Sequence, residues 1–306
     1  MQQIQWQDRF NIGVEVVDQA HRRLFSIVEK IMELYVERHE DRFACVEGIK
    51  YFKAYAVKHF AEEEAYMREI GYPGYLVHKR LHDRMRRETL PALERELYAS
   101  NFSTEAVQHF IGVCIGWLTG HIMIEDRAIT GEHAALSRPP RDEDERSLIQ
   151  AVIVQPLQEI LGLPIRYLGP YTQDALIRDA RYCQLACRDE DGQELRFVLV
   201  IGEDSLLQAA GLMFGMEFYA VNEIVRFAIR EIAQSLIQRA AAHFGLDSDA
   251  CRVEEVGLLD ARTYHASVQA HAPQYSLLFG AGQDRFALCV HRLPAQGEPP
   301  PHDRPT

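Results

Sequence analysis

Seven residues in the first 130 positions of this chain are of the types that bind metal ions. Two pairs among them are spaced four apart, His59 with Glu63 and His78 with His82. Residues four apart lie on one face of a helix, so each pair can point toward one centre. The full candidate set is five histidines and two carboxylates: His21, His59, Glu63, His78, His82, His121 and Asp126.

The ligand types favour iron over a structural zinc site. The set contains no cysteine, and seven ligands are more than one tetrahedral zinc ion can use. Two metal ions fit better, because a carboxylate can bridge two cations through its two oxygens and imidazoles suit iron. Five histidines then divide into three on one metal and two on the other, which leaves one coordination position open.

The elements that must position these residues are predicted to be helices. Apolar residues recur at steps of three and four in four segments before position 130, and the candidate ligands lie on those apolar faces. Gly71 to Gly74 separate the second helix from the third, and a fourth helix begins after Ser103 or Thr104. Short connections favour antiparallel neighbours. We therefore predict an all-α, up-and-down four-helix bundle in the N-terminal region.

A simpler interpretation of each residue is that it belongs to an ordinary core. A lone histidine on an apolar stripe is more often a hydrogen-bonded core residue, and a lone HxxxH or HxxxE pair is a weak signal. The combination is stronger, because seven candidate ligands in four segments all fall on predicted interior faces. Burying unpaired carboxylates is costly unless a cation satisfies them. The set therefore predicts a metal site.

Composition narrows the classes of function. The 306 residues carry a formal net charge of −12, which argues against a mainly electrostatic hold on nucleic acid. The start lacks a signal-peptide pattern, and nowhere do eighteen apolar residues follow one another, so we expect no export or membrane insertion. The six cysteines form no CxxC pair, which is typical of reduced thiols. These features predict a cytoplasmic protein.

Two polar, proline-containing segments divide the chain. Positions 137–147 include SRPPRDEDER, which predicts an exposed linker, and 294–306 predict a disordered tail. Between them, 148–293 is predicted to be an α+β domain. It has a hairpin of 181–188 and 195–201, helices over 205–214 and 221–244, and strands near 264–270, 275–279 and 285–291.

The first 136 residues resemble a bacterial hemerythrin domain. The resemblance is carried by Trp6 and by four motifs, GVEVVDQAH, HFAEEEAYM, GYPGYLVHKRLH and WLTGHIMIED. It implies two non-heme iron ions joined by an oxo or hydroxo bridge. It also implies that dioxygen binds reversibly at the iron that has an open position.

The same resemblance implies a role for each candidate ligand. His78, His82 and His121 would hold one iron, His21 and His59 the other, and Glu63 and Asp126 would bridge them. Trp117, Leu118, Ile122 and Phe60 stand next to these positions or one turn away. They are candidates for the walls of an oxygen pocket, and equally for plain core.

The second domain resembles CheX-type members of the chemotaxis phosphatase family. The resemblance is carried by FVLVIGEDSLLQAAGLMFGMEF and by NEIVRFAIREIAQSLIQRAA. In that family the long helix carries a catalytic Glu and, three residues later, an Asn. Here Glu231 matches the acid, but Gln234 stands where Asn is expected. The extra methylene puts phosphatase activity in doubt, since a water misplaced by about 1 Å can cost roughly a hundredfold in rate.

Three classes of function follow from these expectations. The favoured class is a sensor of oxygen or redox state that signals through a degenerate CheX-like domain. We expect such a protein to bind a ligand and not to act as an enzyme. The alternatives are a response-regulator phosphatase gated by oxygen and a di-iron oxidase or peroxidase. Expected partners are dioxygen and a response regulator or another chemotaxis or signalling protein. We also envisage a homodimer that forms through the C-terminal domain. Nucleic acid and membranes are not expected partners.

Overall fold

The structure is a computed structural model, and it describes residues 4–37, 42–130, 154–172, 177–188, 194–243, 252–268 and 272–293. It divides into two compact units that do not follow chain order. The first unit combines Met1–Gly162 with Leu206–Ser235, and the second combines Leu163–Ser205 with Leu236–Thr306. The predicted domain boundaries remain a prediction. The linker and the tail lie outside the described residues.

The N-terminal region is a helical bundle, as predicted. Four helical rods cross it, at 15–37, 42–69, 75–99 and 104–129. The fourth rod begins where the sequence indicated, because the Ser103 side chain accepts a hydrogen bond from the Ala106 amide at 3.2 Å. The helices are α1 (Glu15–Ile31), α2 (Arg42–Glu69), α3 (Tyr75–Arg84), α4 (Leu90–Ala99), α5 (Thr104–Gly120) and α6 (Arg127–Ile129).

Three of these rods contain π-helical segments, Met32–Glu37, Met85–Thr89 and His121–Asp126. A π-helical turn pairs residues five apart, whereas an α-helical turn pairs residues four apart. The third segment begins at one candidate ligand and ends at another. Local winding therefore lets His121 and Asp126, which are five apart, face the same centre.

The approach to α1 is fixed by a buried carboxylate. Asp18, which is 3% exposed, accepts hydrogen bonds from the amides of Ile12 at 2.7 Å and Gly13 at 3.1 Å. Gly13 has a φ of +83°, a conformation that favours glycine. These hydrogen bonds fix the residues before α1 to the first turn of that helix. Asp18 itself lies three residues before His21.

The second unit contains a six-stranded antiparallel sheet with the order β1-β5-β6-β3-β2-β4. The predicted hairpin is confirmed, with Cys183 opposite Leu199, and so are the last two strands. Strands β1 and β4 were not predicted. The strands are β1 (Ile165–Pro170), β2 (Ala180–Arg188), β3 (Glu194–Gly202), β4 (Arg252–Leu259), β5 (Tyr275–Ala281) and β6 (Asp284–Leu293).

The helices outside the bundle are α7 (Gln155–Leu161), α8 (Glu203–Phe214), α9 (Glu223–His243) and α10 (Ala261–Val268). Helices α8 and α9 confirm the two predicted helices, and the C-terminal region is α+β as expected. The strand predicted near 264–270 is wrong, because Tyr264 lies in α10. That helix is capped by Asp260, whose carboxylate accepts a hydrogen bond from the Thr263 amide at 2.7 Å.

One helical stretch, Thr104–Ile129, is long and apolar enough to cross a membrane by length and composition. However, 83% of its most apolar window is buried inside the protein. It is the fourth rod of the bundle, and it contributes core residues such as Phe110 and Ile115, which are at most 1% exposed. Burial of this kind is typical of a core helix.

Candidate metal centre

The structure brings all seven predicted ligands together inside the bundle. Each is at most 4% exposed. One histidine cluster is formed by α3 and the π-helical segment that follows α5, where Nε2 of His121 lies 3.0 Å from Nε2 of His78 and 2.9 Å from Nε2 of His82. The second cluster pairs α1 with α2, where the rings of His21 and His59 lie 4.6 Å apart. Three histidines thus lie in one cluster and two in the other, and their division between two metal ions remains a prediction.

The two carboxylates lie between the histidine clusters. Glu63 directs Oε1 to Nε2 of His78 at 2.7 Å and Oε2 to Nε2 of His59 at 3.1 Å. Asp126 directs Oδ1 to Nε2 of His121 at 3.0 Å and Oδ2 to Nε2 of His21 at 3.3 Å. Each carboxylate thus presents one oxygen to each cluster.

The unsatisfied atoms of this cage fit a metal ion. Among the described residues, neither oxygen of Glu63 or Asp126 and no ring nitrogen of His21 makes a hydrogen bond of acceptable geometry. Buried polar groups are almost always paired, so convergent lone pairs without partners require another ligand. Two groups of nitrogen and oxygen atoms could each hold an ion, one at Glu63, His78, His82 and His121 and one at His21, His59 and Glu63.

The electrostatics of the cage favour a cation. Burial opposes ionisation of both carboxyls, but neighbouring imidazoles hold the pKa of Glu63 and that of Asp126 well below their usual values. Burial also opposes protonation of His78, yet the two carboxylates raise its pKa to about 10. For His82 burial prevails and lowers the pKa to about 4. Both carboxylates therefore stay ionised, and the proton on His78 that offsets part of their charge occupies a place that a metal cation could take.

Aromatic rings pack on the three-histidine cluster. Trp117 stacks on His121 with ring centroids 4.2 Å apart, and Phe60 stacks on His82 at 4.3 Å. Leu118 and Ile122 are buried beside them. These are the four residues proposed for the oxygen pocket, and that role remains a prediction. In the two-histidine cluster, Trp6 lies nearly parallel to His21, at 6.5 Å.

Sequence reasoning missed two residues that touch the cage from outside. Glu64 is 5% exposed and places Oε1 3.2 Å from Nδ1 of His82. Arg86 forms an ion pair with the same carboxylate. The only sequence signal for Glu64 is its place in the run EEE beside Glu63, and its partners lie on another helix.

The two residues that match the phosphatase motif lie on α9. Glu231 and Gln234 are both half-buried, and they are three apart, so they share one helix face. This part of α9 belongs to the same unit as the bundle. The phosphatase role of these residues remains a prediction.

Comparison with known proteins also indicates a cation-binding site in the bundle. Residues 12–131 match the hemerythrin HHE cation-binding domain. A bacteriohemerythrin of Clostridium acetobutylicum is 31% identical over 127 residues, which cover 40% of this chain and 95% of that protein. Bacteriohemerythrins of Stenotrophomonas maltophilia and Pseudomonas aeruginosa are 44% identical over 79 residues and 29% identical over 146 residues. These matches cover 26% and 47% of this chain and 50% and 92% of the relatives.

Among solved structures, the chemotaxis protein CheX from Vibrio vulnificus is similar, at 12% identity and a TM-score of 0.36. The match covers 49% of this chain and 99% of that protein. The conclusion about family rests on the bundle, where a buried cage of five histidines and two carboxylates agrees with the match over 12–131. With a bacteriohemerythrin aligned over nearly its whole length, the chain belongs to the hemerythrin family and has a non-heme metal site suited to iron.

Proposed function

We propose that this chain binds dioxygen reversibly at a pair of iron ions and reports oxygen or redox state through its C-terminal α+β region. The observation that carries the proposal is the geometry of Glu63, whose Oε2 faces His59 at 3.1 Å and Oε1 faces His78 at 2.7 Å. A carboxylate that faces two clusters of nitrogen ligands is suited to bridge two cations.

Each cluster then has a role. His78, His82 and His121 hold one iron ion and His21 and His59 hold the other. Glu63 and Asp126 would be shared between the two ions, together with a solvent-derived oxo or hydroxo group. His21 and His59 would leave their ion with fewer protein ligands than the other, so dioxygen would bind at that ion. When bound, the iron ions would supply the two electrons that reversible binding of dioxygen requires.

The protein's own contribution is charge balance and exclusion of water. The two buried carboxylates and a bridging hydroxide would offset three of the four positive charges of two ferrous ions, so the loaded cage would be only weakly charged. Phe60 and Trp117 cover the three-histidine cluster, and all seven ligands are buried. A dry site suppresses side reactions, which favours release of the ligand unchanged.

The link to signalling is supported by the segments of the chain that make up the first compact unit. Residues 206–235, which include the first part of α9, belong to the same compact unit as the bundle. A Cβ on Gly112 of α5 would lie 2.7 Å from Cβ of Phe227 on α9, so the two helices are in close contact. Helix α5 leads into His121. We propose a response regulator or another chemotaxis or signalling protein as the partner, and a cytoplasmic location.

The test is an oxygen cycle on the full chain. The metal-free protein is loaded with ferrous iron without oxygen, and visible spectra are recorded as oxygen is admitted and then removed. We expect a colour change that reverses. His59→Leu should abolish the change, and His265→Gln, outside the cage, should keep it. A spectrum that never changes refutes the proposal, and continuous consumption of oxygen would indicate an oxidase or peroxidase instead.

A further inference from the structure

One of the buried histidines, His82, has a carboxylate on the side of its ring that faces away from the cage. The ring of His82 turns Nε2 into the cage, 2.9 Å from Nε2 of His121, and turns Nδ1 outward to Oε1 of Glu64 at 3.2 Å. An ionised carboxylate only accepts hydrogen bonds, so the proton of a neutral His82 ring lies on Nδ1. The lone pair of Nε2 is then directed into the cage.

Arg86 holds this arrangement from one turn farther along. Its guanidinium forms an ion pair with Glu64, and its Nε donates to the carbonyl oxygen of His82 at 3.3 Å. The same guanidinium lies 5.7 Å from the centre of the Phe60 ring, which in turn stacks on His82. The imidazole of His82 is therefore fixed at its edge by Glu64 and on its face by Phe60.

Two other histidines of the cage, His21 and His78, lack such a partner among the described residues. Within the part of the chain that the structure describes, Nδ1 of His21 and Nδ1 of His78 make no hydrogen bond. His21 lies in the two-histidine cluster, and His78 lies in the same cluster as His82. The carboxylate of Glu64 thus distinguishes His82 from His21 in the two-histidine cluster and from His78 in its own cluster.

We propose that Glu64 is a positioning residue that fixes the tautomer of His82 and strengthens its donation to the metal of the three-histidine cluster. The inference rests on the proposed function. A carboxylate behind a metal-bound imidazole orients the ring and increases its basicity, and loss of such a partner typically lowers metal affinity about 10–100-fold. A more basic ligand stabilises the more oxidised metal, so Glu64 lowers the reduction potential of that ion.

The test uses two variants of the full chain and a matched control. Glu64→Gln keeps a hydrogen-bond acceptor but removes the charge. Glu64→Asp keeps the charge but withdraws the carboxylate by one methylene. Glu62→Gln, two residues away on α2, removes an exposed charge whose partner is Lys58 at 3.5 Å. Circular dichroism establishes whether each variant is folded. If Glu64→Gln does not fold, all the measurements are made on Glu64→Asp.

Three measurements separate positioning from a merely structural role. In the metal-free protein, nitrogen NMR of labelled histidine should give the Nδ1–H tautomer of His82, and Glu64→Asp should give a mixture. In the loaded protein, Glu64→Gln should bind iron about 10–100-fold more weakly and show a raised reduction potential. Glu62→Gln should match the wild type in all three.

The outcomes are distinguishable from failure of the proposed function. Unchanged tautomer, affinity and potential in both Glu64 variants would overturn the positioning role. Weaker binding with an unchanged potential would assign Glu64 a structural role and also overturn it. If the wild type itself fails to bind two iron ions, the proposed function fails. The tautomer of His82 in the metal-free protein then still tests the inference.

Discussion

Gly116 of α5 lies directly against Ala228 of α9. A Cβ atom on Gly116 would come 2.5 Å from the carbonyl oxygen of Ala228 and 2.6 Å from its Cα. Gly112, one turn earlier, would bring a Cβ 2.7 Å from the carbonyl oxygen of Ile224. Two glycines four apart therefore let α9 touch the backbone of the helix that leads into His121.

Substitution of Gly116 by alanine should weaken this contact. The atoms in the way belong to the backbone of α9, so the helix itself must move. Overpacking of this kind typically costs about 1–3 kcal/mol. We expect Gly116→Ala to lower the free energy of unfolding by about that amount, as measured by urea denaturation.

Gly48→Ala on α2 is the matched control. There the new Cβ would meet only the Ile31 side chain, whose Cγ1 lies 3.0 Å away and can shift. Alanine also favours a helix interior over glycine by roughly 0.5–1 kcal/mol. A Gly116→Ala protein as stable as the wild type would show that α9 does not hold this position.

Glu231 should make stability depend on pH. Burial raises its pKa to about 7, against the opposing effect of Arg230 and Arg84, from an ordinary value of 4.5. Because the folded-state pKa is the higher one, the stabilising contribution is fully present below pH 4.5 and is lost as pH rises through about 7. The folded protein should therefore lose stability over this range.

Glu231→Gln isolates that effect. The amide has nearly the same shape and carries no charge, so the variant should gain stability relative to the wild type as pH rises from about 5 to about 8. The difference in melting temperature between the two proteins is the measurement. If the melting temperature of the variant minus that of the wild type stays constant or falls as pH rises, the raised pKa of Glu231 is contradicted.

Glu63 should be needed for the second metal ion. Glutamine replaces one carboxylate oxygen by an NH2 group, which donates hydrogen bonds and cannot bridge cations. We expect Glu63→Gln to bind one iron ion or none per chain, as measured by elemental analysis after anaerobic loading. Glu94→Gln, which removes the partly exposed partner of Lys53, should leave the count unchanged. Full loading of Glu63→Gln would exclude a bridging role.

Iron should stabilise the folded chain. An ion that binds only the native state adds about 2.7 kcal/mol when its free concentration is a hundred times its Kd. Histidine ligands must be neutral to bind a metal ion, and in the metal-free cage the carboxylates raise the pKa of His78 to about 10, so a proton competes with the metal and the gain should shrink as pH falls below about 10. Melting curves with and without a chelator check this. An equal melting temperature in both would mean that the cage binds no iron.

The metal cage was largely predictable from sequence because its signals are local. His59 with Glu63 and His78 with His82 are each one helical turn apart, and apolar periodicity alone placed them on interior faces. The contact between Glu64 and His82 was not predictable in this way. It joins residues eighteen apart on two helices, and no spacing rule connects them.

The sequence patterns also did not predict the π-helical segments. The five-residue spacing of His121 and Asp126 is incompatible with one face of a regular α-helix, and the structure resolves it by a local change of winding. The error at Tyr264 has a different cause. The aromatic and β-branched residues there suggested a strand, but the helix cap formed by Asp260 prevailed.

Packing between distant parts of the chain was the least predictable feature. Nothing local marks Gly116 as a contact point for Ala228, which lies more than a hundred residues later. The sequence suggested a boundary between the bundle and the following domain near position 137. The structure groups 206–235 with the bundle, because contacts between helices, and not chain order, define its compact units.

The most direct test of the central claim is an anomalous-difference map at the iron edge, from crystals of the full chain loaded anaerobically with iron. We expect two peaks inside the bundle. One should lie within bonding distance of His78, His82 and His121, and the other within bonding distance of His21 and His59, with Glu63 and Asp126 between them. A single peak, or none in the cage, would contradict the di-iron account.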